Sequence, residues 1–281
     1  MSYEALLLDL DGTLLDGRGE VRPRNLEALR ALEARGVPVM IVTGRSSLSA
    51  AAILDRIGLE TAAVLFNGAV VYCPRRRRLI EERVLSNRTL ERALGYSRAS
   101  GLLTVVMAAR EKRGLEPRNE REREALKGLH GLRQVPLEEL ALDGAIRVTW
   151  FSDRHRGSGE LAAEIEAFVD QPVYLTHFPL DVLVDHRGSE MDVVDLHPPC
   201  RGKAEALRVL EELYGVRPAR VVAVGDATND IPMLEAAGLG VCMSGGMPEA
   251  SSVAGRVIGD HDSDAIAELV EELFGATPAR R

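Results

Sequence analysis

The sequence predicts an α/β protein with a doubly wound, parallel-sheet core and an inserted second α/β domain. Three observations lead to this prediction. Strand-like apolar runs alternate with helical periodicity near the start of the chain, the same alternation returns near its end, and the region between is β-rich and of different character. The chain has 281 residues, which is long enough for about two domains.

The first block, up to about residue 68, alternates strands and helices with short connections. An apolar run over residues 4–9 predicts a strand that ends in a carboxylate, and leucines at helical spacing predict a helix that ends near Gly36. A strand, a helix and a strand are predicted next, over Val37 to Val42, Leu48 to Ile57 and Ala62 to Phe66. This alternation predicts a parallel sheet that is covered on both faces.

The same alternation returns after about residue 200. Apolar residues at helical spacing predict a helix that Gly215 stops. A strand, a helix, a strand and a closing helix follow, over Val221 to Val224, Ile231 to Ala237, Leu239 to Cys242 and Ala265 to Leu273. Two separated blocks of this kind indicate one core interrupted by an insertion. The predicted core comprises residues 1–82 and 190–281, and the predicted insertion comprises residues 83–189.

The middle of the chain, from about Val70 to His186, has β-rich runs and a helical stretch over Gly159 to Val169. The runs cover Val70 to Cys73, Leu102 to Met107, Ala145 to Phe151, Val173 to Phe178 and Asp181 to Val184. Of the 15 residues from Arg110 to Glu124, 11 are charged, which favours a solvated helix or loop. The run Arg75 to Arg78 allows a phosphate-binding interpretation, but a charged turn between two strands is favoured.

The composition makes several classes of protein improbable. The formal net charge is -8 and aromatic residues make up 4%, so we expect neither nucleic-acid binding nor base stacking. No apolar run approaches the roughly 20 residues of a membrane-spanning helix, and no secretory signal is recognisable, so a cytoplasmic protein without a membrane partner is expected. Three widely spaced cysteines argue against a disulfide framework or a zinc site: Cys73, Cys200 and Cys242.

The strongest chemical signal is the sequence Asp9-Leu10-Asp11-Gly12-Thr13 at the end of the first predicted strand. Asp9 and Asp11 are separated by one residue, and Gly12 permits a sharp bend, so both carboxylates can turn toward one point above the sheet edge. Paired carboxylates there suit a hard cation such as Mg²⁺. The alternative is an ordinary turn, since Asp-Gly is a common turn dipeptide.

Three further polar clusters are predicted at the same edge of the sheet. Thr43-Gly44-Arg45 follows the second strand, Lys203 begins a helix, and the segment Gly225 to Asp230 follows a later strand. The carboxyl ends of parallel strands lie along one edge, so these residues are expected to converge with Asp9 and Asp11. Lys203 is also one of only three lysines in a chain whose other cations are arginines.

These residues resemble the motifs of the haloacid dehalogenase superfamily, and specifically of its phosphatases. Asp9 to Thr13 matches the first motif, D-x-D-G-T, Thr43 the second, Lys203 the third, and Gly225 to Asp230 the fourth, G-D-x-x-N-D. Thr43-Gly44-Arg45 and Asn67-Gly68-Ala69 resemble the Cof-type branch, which carries a large α/β cap between the second and third motifs. The resemblance implies a Rossmann-like core and a cap domain at the predicted insertion.

Chemistry and the resemblance together suggest roles for the two paired carboxylates and the metal. A carboxylate that attacks a phosphoryl group forms an aspartyl-phosphate that water can hydrolyse, which suits Asp9 as nucleophile. Asp11 would be the general acid and base. The resemblance implies that Mg²⁺ is held by Asp9, by Asp11 through its backbone carbonyl, and by Asp226.

The remaining site residues would neutralise and align the phosphate. Thr43 would donate its hydroxyl to the phosphate, and Lys203 would place an ammonium against both the phosphate and the nucleophile. Gly44, Arg45 and Asn67 are assigned to phosphate or substrate binding. Asn229 and Asp230 resemble the family's support for the metal and its ligands, and Asn229 is also assigned to phosphate binding.

The leading hypothesis is a Mg²⁺-dependent phosphatase that acts on a small phosphorylated metabolite, most plausibly a sugar phosphate. One alternative is a phosphosugar mutase, which would use the same nucleophile and require a bisphosphate activator. Another is a non-catalytic binding protein, because a fold does not fix a function. The complete set of charged residues argues against the last alternative. The sequence reveals neither the oligomeric state nor the individual substrate.

Overall fold

The computed structural model describes residues 2–183 and 186–275. The chain divides into two compact units. The first unit takes in the chain up to residue 45, residues 50–82 and the chain from residue 201 onward, and the inserted unit takes in residues 46–49 and 83–200. The inserted unit thus continues to residue 200, and the predicted boundary at residue 190 is wrong.

The first unit is built on a sheet in which five strands of the described chain are parallel throughout. In spatial order they are β14 (Arg256–Ile258), β13 (Leu239–Met243), β12 (Val221–Gly225), β1 (Ala5–Leu8) and β2 (Val39–Ile41). The three central strands of this order, β13, β12 and β1, are almost entirely buried. Their apolar runs reflect this burial on both faces of the sheet. The predicted parallel α/β core is confirmed.

Helices follow the strands, and all of them except the one at Pro248–Val253 were predicted from the sequence. They are α1 (Pro23–Ala34), α2 (Ser47–Ile57), α6 (Glu205–Tyr214), α7 (Ile231–Ala236), α8 (Pro248–Val253) and α9 (Ala265–Phe274). Helix α6 ends at Gly215, which has a left-handed backbone with φ of 70° and so supplies the usual C-terminal cap. The apolar core joins Leu7 and Ala223 of the sheet to Leu210 and Met233 of the helices.

The strand predicted over Ala62 to Phe66 forms, but it lies in a separate small sheet. Strands β3 (Ala63–Leu65), β4 (Val70–Cys73) and β5 (Arg78–Glu82) pair antiparallel, and an isolated bridge between Val42 and Val64 joins β3 to the edge of the parallel sheet. Residues 74–77 form the turn between β4 and β5, so the charged-turn interpretation of the arginine run is confirmed.

The inserted unit has a sheet of six strands among its described residues, in the order β10 (Tyr174–Pro179), β11 (Asp192–His197), β9 (Arg147–Ser152), β6 (Leu103–Met107), β7 (Lys112–Gly114) and β8 (Leu132–Gln134). Strand β11 pairs with β9 and β10, which explains why this unit extends beyond residue 189. The predicted strand Asp181 to Val184 is wrong where it is described, because residues 180–182 form a short 3-10 turn. Val184 lies outside the described residues.

Helices α3 (Asn87–Ser100), α4 (Glu120–Ala125) and α5 (Ser158–Val169) complete the inserted unit. The buried indole of Trp150 lies between the sheet and α3, where its Nε1 donates to Ser97 Oγ at 2.8 Å. The ring of Tyr96 meets Trp150 edge-on, with 5.7 Å between the ring centroids. The hydrogen bond satisfies the one polar atom of the indole, so this aromatic pair can lie in the apolar core. No helix within the described ranges combines the length and apolar character needed to cross a membrane.

The highly charged segment from Arg110 to Glu124 is not uniformly solvated, contrary to the prediction. Lys112 is only 2% exposed, and its Nζ donates to the backbone oxygen of His130 at 3.2 Å. Glu122 is also buried, and Arg118 pairs with it. Burial, aided by the nearby charge of Arg147, lowers the pKa of Lys112 to about 8.

We expect Lys112→Met to stabilise the protein at pH 7. The unfolded chain binds more protons than the folded chain between about pH 8 and the ordinary lysine pKa of 10.5, so wild-type stability rises with pH across that window. Below about pH 8, the charged lysine lowers the free energy of unfolding, on the order of 3 kcal/mol. The substitution removes this penalty. Chemical denaturation of both proteins from pH 7 to 10 checks this. The difference in free energy of unfolding between Lys112→Met and wild type should shrink as pH rises. A difference that stays constant with pH would contradict this account. Lys127→Met, at an exposed lysine, is the control.

Candidate active site

The site lies at the carboxyl edge of the first unit's parallel sheet. Asp9 directly follows β1, Thr43 closely follows the neighbouring strand β2, and Asp226 directly follows β12 on the other side of β1. Lys203 reaches the same point from a short 3-10 turn that precedes α6. The structure thus brings together side chains that are far apart in the sequence.

A buried ionic cluster forms the centre of the site. The Nζ of Lys203, which is 1% exposed, lies 2.7 Å from Asp9 Oδ1 and 2.6 Å from Asp230 Oδ1. The other oxygen of Asp230 accepts hydrogen bonds of 3.0 Å from the backbone N–H groups of Asp226 and Ala227. Asp230 therefore fixes both the lysine and the loop that carries Asp226.

The carboxylates of this cluster outnumber its cations. Burial raises the pKa of Asp9 well above its usual range despite the opposing effect of Lys203, and Asp230 and Asp226 raise it further. Burial, followed by the charge of Asp230, raises the pKa of Asp226 to about 7. Burial would lower the pKa of Lys203, but Asp230 and Asp9 outweigh it and raise that pKa. The cluster is therefore short of positive charge.

This arrangement fits a hard divalent cation. Carboxylate oxygens of Asp9, Asp226 and Asp230 lie within 4.8 Å of one another, and oxygen atoms are the ligands that Mg²⁺ prefers. Both oxygens of Asp230 already accept hydrogen bonds, so Asp9 and Asp226 are the better direct ligands. A divalent cation would also supply the positive charge that the cluster lacks.

Gly12 and Thr13 shape the position of Asp226. The hydroxyl of Thr13 donates to Asp226 Oδ1 at 2.9 Å. Gly12 has φ of 74°, and a Cβ atom built there would lie 2.7 Å from the carboxyl carbon of Asp226. Thr13 lies within the first motif, and its contact with Asp226 was not predicted from the sequence.

We expect Gly12→Ala to displace Asp226 and to lower both activity and stability. The left-handed backbone alone costs about 1–2 kcal/mol for alanine, and the overlap with Asp226 adds to it. Gly19→Ala is a matched control, because Gly19 has a similar φ of 75° but has open space where the Cβ would lie. Thermal unfolding and metal-dependent turnover should separate the two variants, and equal losses in both would show that the contact with Asp226 has no effect.

Asp11 and Arg45 form an ion pair with two contacts. Arg45 Nε lies 2.8 Å from Asp11 Oδ2, and Arg45 Nη2 lies 2.5 Å from Asp11 Oδ1. The backbone N–H of Arg45 also donates to Thr43 Oγ1 at 3.1 Å. Arg45 was expected to bind phosphate or substrate, whereas the structure places its guanidinium on the paired carboxylate of the first motif.

The segment after β3 has an unusual backbone. Phe66 and Asn67 have φ values of 51° and 50°, a left-handed conformation that costs roughly 1–3 kcal/mol for each non-glycine residue. The side chain of Asn67 accepts a hydrogen bond of 3.1 Å from Asn229 Nδ2. The structure thus brings Asn67 to the site, where its side-chain oxygen contacts Asn229.

The doubly wound sheet carries buried aspartates and a lysine at its carboxyl edge, which is where open α/β sheets bind their ligands. The family model of haloacid dehalogenase-like hydrolases matches residues 6–270. The chain therefore belongs to the haloacid dehalogenase-like hydrolases.

Curated relatives of similar length agree with this assignment. The chain is 27% identical over 277 residues to the pyridoxal phosphate phosphatase of Escherichia coli, covering 96% of this chain and 98% of the relative. It is 28% identical over 280 residues to the HMP-PP phosphatase of Serratia proteamaculans, covering 96% of this chain and 94% of the relative. The predicted enzyme class, a phosphatase of the Cof-type branch, is confirmed.

Solved structures of the same superfamily share the fold over nearly the whole chain. A haloacid dehalogenase-like hydrolase from Bacteroides thetaiotaomicron superposes with a TM-score of 0.78 at 22% identity, covering 97% of this chain and 100% of that one. The sugar phosphatase BT4131 superposes with a TM-score of 0.78 at 20% identity, covering 97% of this chain and 99% of that one. These similarities confirm the core with an inserted α/β domain.

Proposed function

We propose that this protein is a Mg²⁺-dependent phosphatase that hydrolyses a small phosphorylated metabolite through an aspartyl-phosphate on Asp9. The observation that carries the proposal is the buried contact of 2.7 Å between Asp9 Oδ1 and Lys203 Nζ at the carboxyl edge of the sheet. An ordinary surface turn would not bury a carboxylate and an ammonium together, since desolvating both charges is costly.

Asp9 supplies the nucleophile. A carboxylate oxygen of Asp9 forms a bond to phosphorus as the ester P–O bond breaks, and water later cleaves the acyl phosphate to release orthophosphate. Lys203 holds the carboxylate in place and adds positive charge beside the phosphoryl oxygens. Thr43 Oγ1 accepts a hydrogen bond from the backbone N–H of Arg45, so the hydroxyl hydrogen of Thr43 can be donated to a phosphate oxygen. Gly44 lies in the same loop and is assigned to phosphate binding with it.

Asp11 supplies the proton transfers. It gives a proton to the leaving oxygen in the first step and takes one from the attacking water in the second, so one carboxyl group serves both steps. Arg45 contacts both carboxylate oxygens of Asp11 in the structure. One of these contacts has to open when that oxygen carries the proton, and the other can still orient the group. We assign Arg45 to this role on that observation.

Asp9, Asp226 and the backbone carbonyl of Asp11 are the proposed Mg²⁺ ligands, with Asp230 and Asn229 supporting them. The cation would neutralise charge on the transferring phosphoryl group. Asp230 supports Asp226 through backbone hydrogen bonds of the same loop. We expect Asp226→Asn to weaken metal binding without removing the nucleophile.

The proposed substrate class is a small phosphorylated metabolite, and sugar phosphates are the first group to test. The named relatives act on pyridoxal phosphate and on HMP-PP, which are both small phosphorylated molecules. The sugar phosphatase BT4131 shares the fold. We propose a cytoplasmic protein with neither nucleic acid nor membrane as partner.

Phosphate release from a broad panel of phosphorylated metabolites, with Mg²⁺ and with a chelator, tests the proposal. Wild type should release phosphate only with the metal, and Asp226→Asn should shift the metal dependence to higher concentrations. The exposed carboxylate of Asp55 provides the matched control, Asp55→Asn. Absence of release from every ester would overturn simple hydrolysis, and sugar bisphosphates would then test the mutase alternative.

A further inference from the structure

The segment Phe66 to Gly68 keeps a strained backbone in a buried position. Phe66, Asn67 and Gly68 have φ values of 51°, 50° and 106°, and all three are buried. A bulky residue such as phenylalanine rarely adopts this conformation, whereas asparagine adopts it more readily. Such a backbone persists only where the surrounding contacts hold it, so these contacts indicate what the segment does.

Its backbone holds the loop that follows β2. The N–H of Asn67 donates to the carbonyl oxygen of Thr43 at 3.1 Å, and the N–H of Phe66 donates to the carbonyl oxygen of Arg45 at 3.1 Å. Two consecutive N–H groups therefore reach carbonyls two residues apart in the same loop. This loop carries Thr43 and the arginine that contacts Asp11.

The side chain of Asn67 reaches a second loop. Its Oδ1 accepts from Asn229 Nδ2 at 3.1 Å, and Asn229 lies in the loop that also carries Asp226 and Asp230. A Cβ atom at Gly44 would lie 2.9 Å from the same Oδ1, so only a glycine there leaves the amide in this position. Asparagine combines tolerance of the left-handed backbone with an amide that can accept this hydrogen bond.

We propose that Asn67 is a positioning residue that fixes the Thr43 loop to the Asp226 loop, rather than a phosphate ligand. The inference rests on the proposed phosphatase reaction and deepens it. Asn67 acts through Asn229 and through the backbone of Thr43. Its effect on the reaction is therefore an effect on the alignment of the groups around the phosphoryl oxygens and the metal.

A double-mutant cycle tests this inference. Asn67→Gly keeps the left-handed backbone and removes the amide, and Asn229→Ala removes the donor. For the best ester of the panel, Asn67→Gly alone should lower kcat by about tenfold. Its KM and the inhibition constant of orthophosphate should change by less than about twofold, as expected for a group that does not bind phosphate. In the Asn229→Ala background, Asn67→Gly should have little further effect.

Two results would overturn the inference. One is a rise in the orthophosphate inhibition constant as large as the loss of turnover, which would make Asn67 a phosphate ligand. The other is an equal effect of Asn67→Gly in both backgrounds, which would show no coupling between the two amides. Wild type is assayed in parallel. If wild type releases no phosphate from any ester, the proposed function itself has failed, which is distinguishable from failure of the cycle.

Discussion

Asp9→Asn is expected to abolish phosphate-ester hydrolysis while leaving the fold intact. The substitution removes the nucleophile and keeps the size of the side chain, and loss of a nucleophile lowers kcat by about 10⁴-fold or more. The carboxylate is buried beside two other carboxylates, and burial raises its pKa. Its replacement by a neutral amide therefore removes repulsion in the metal-free protein.

The stability of Asp9→Asn distinguishes a catalytic effect from unfolding. Measured in chelator, its thermal midpoint should equal or exceed that of wild type, while its turnover with Mg²⁺ falls to background. Asp55→Asn should leave both quantities unchanged, because Asp55 is an exposed residue away from the site. An Asp9→Asn variant that retains substantial turnover would exclude Asp9 as the nucleophile.

Lys203→Met is expected to lower the free energy of unfolding more than Asp9→Asn, Gly12→Ala or Asp226→Asn. It leaves Asp9 and Asp230 buried without their shared cation, and breaking a buried ion pair in this way costs about 3–5 kcal/mol. Burial already raises the pKa of Asp9, and loss of the opposing charge of Lys203 raises it further, so Asp9 binds its proton more strongly in the folded than in the unfolded chain. The loss should therefore grow as pH rises above the ordinary carboxyl range. The rate of phosphate-ester hydrolysis should also fall in this variant.

Lys112→Met provides the matched comparison, because it is the same substitution at another buried lysine. Lys112 donates to a backbone carbonyl instead of lying between carboxylates, so its replacement should stabilise the protein where that of Lys203 destabilises it. Denaturant unfolding in chelator at pH 6 and pH 8 measures the free energy of unfolding of both variants. Equal changes in the two variants would contradict the electrostatic account of the site.

The core of the fold was predictable because its strands are buried on both faces. Strands such as β1 and β12 are continuous apolar runs, and their helical neighbours carry clear periodicity and a glycine stop. Short polar strands such as β7 and β8 give no comparable signal, because their pairing depends on partners distant in the sequence. Strand β11 directly follows a stretch without a clear pattern, so the boundary of the insertion was placed too early.

The convergence of side chains at the sheet edge was predictable where a motif carries them, and it was unpredictable where contacts join two loops. Asp9, Lys203 and Asp226 follow from motifs at strand ends and helix starts. The pairing of Arg45 with Asp11 and that of Asn67 with Asn229 depend on how separate loops approach each other. Local sequence contains no information about such an approach, and a phenylalanine gives no indication of a left-handed backbone.

The central claim is that Asp9 carries the phosphoryl group during the reaction. Acid quenching of Asp11→Asn during turnover, followed by mass spectrometry of its peptides, tests this most directly. That variant lacks both the acid for the first step and the base for the second, so the substrate is an aryl phosphate whose leaving group departs without a proton, and the intermediate should accumulate. We expect a single phosphoryl group on the peptide that contains Asp9, and none with chelator. A phosphoryl group on another residue, or hydrolysis at the wild-type rate without any phosphorylated peptide, would contradict the account.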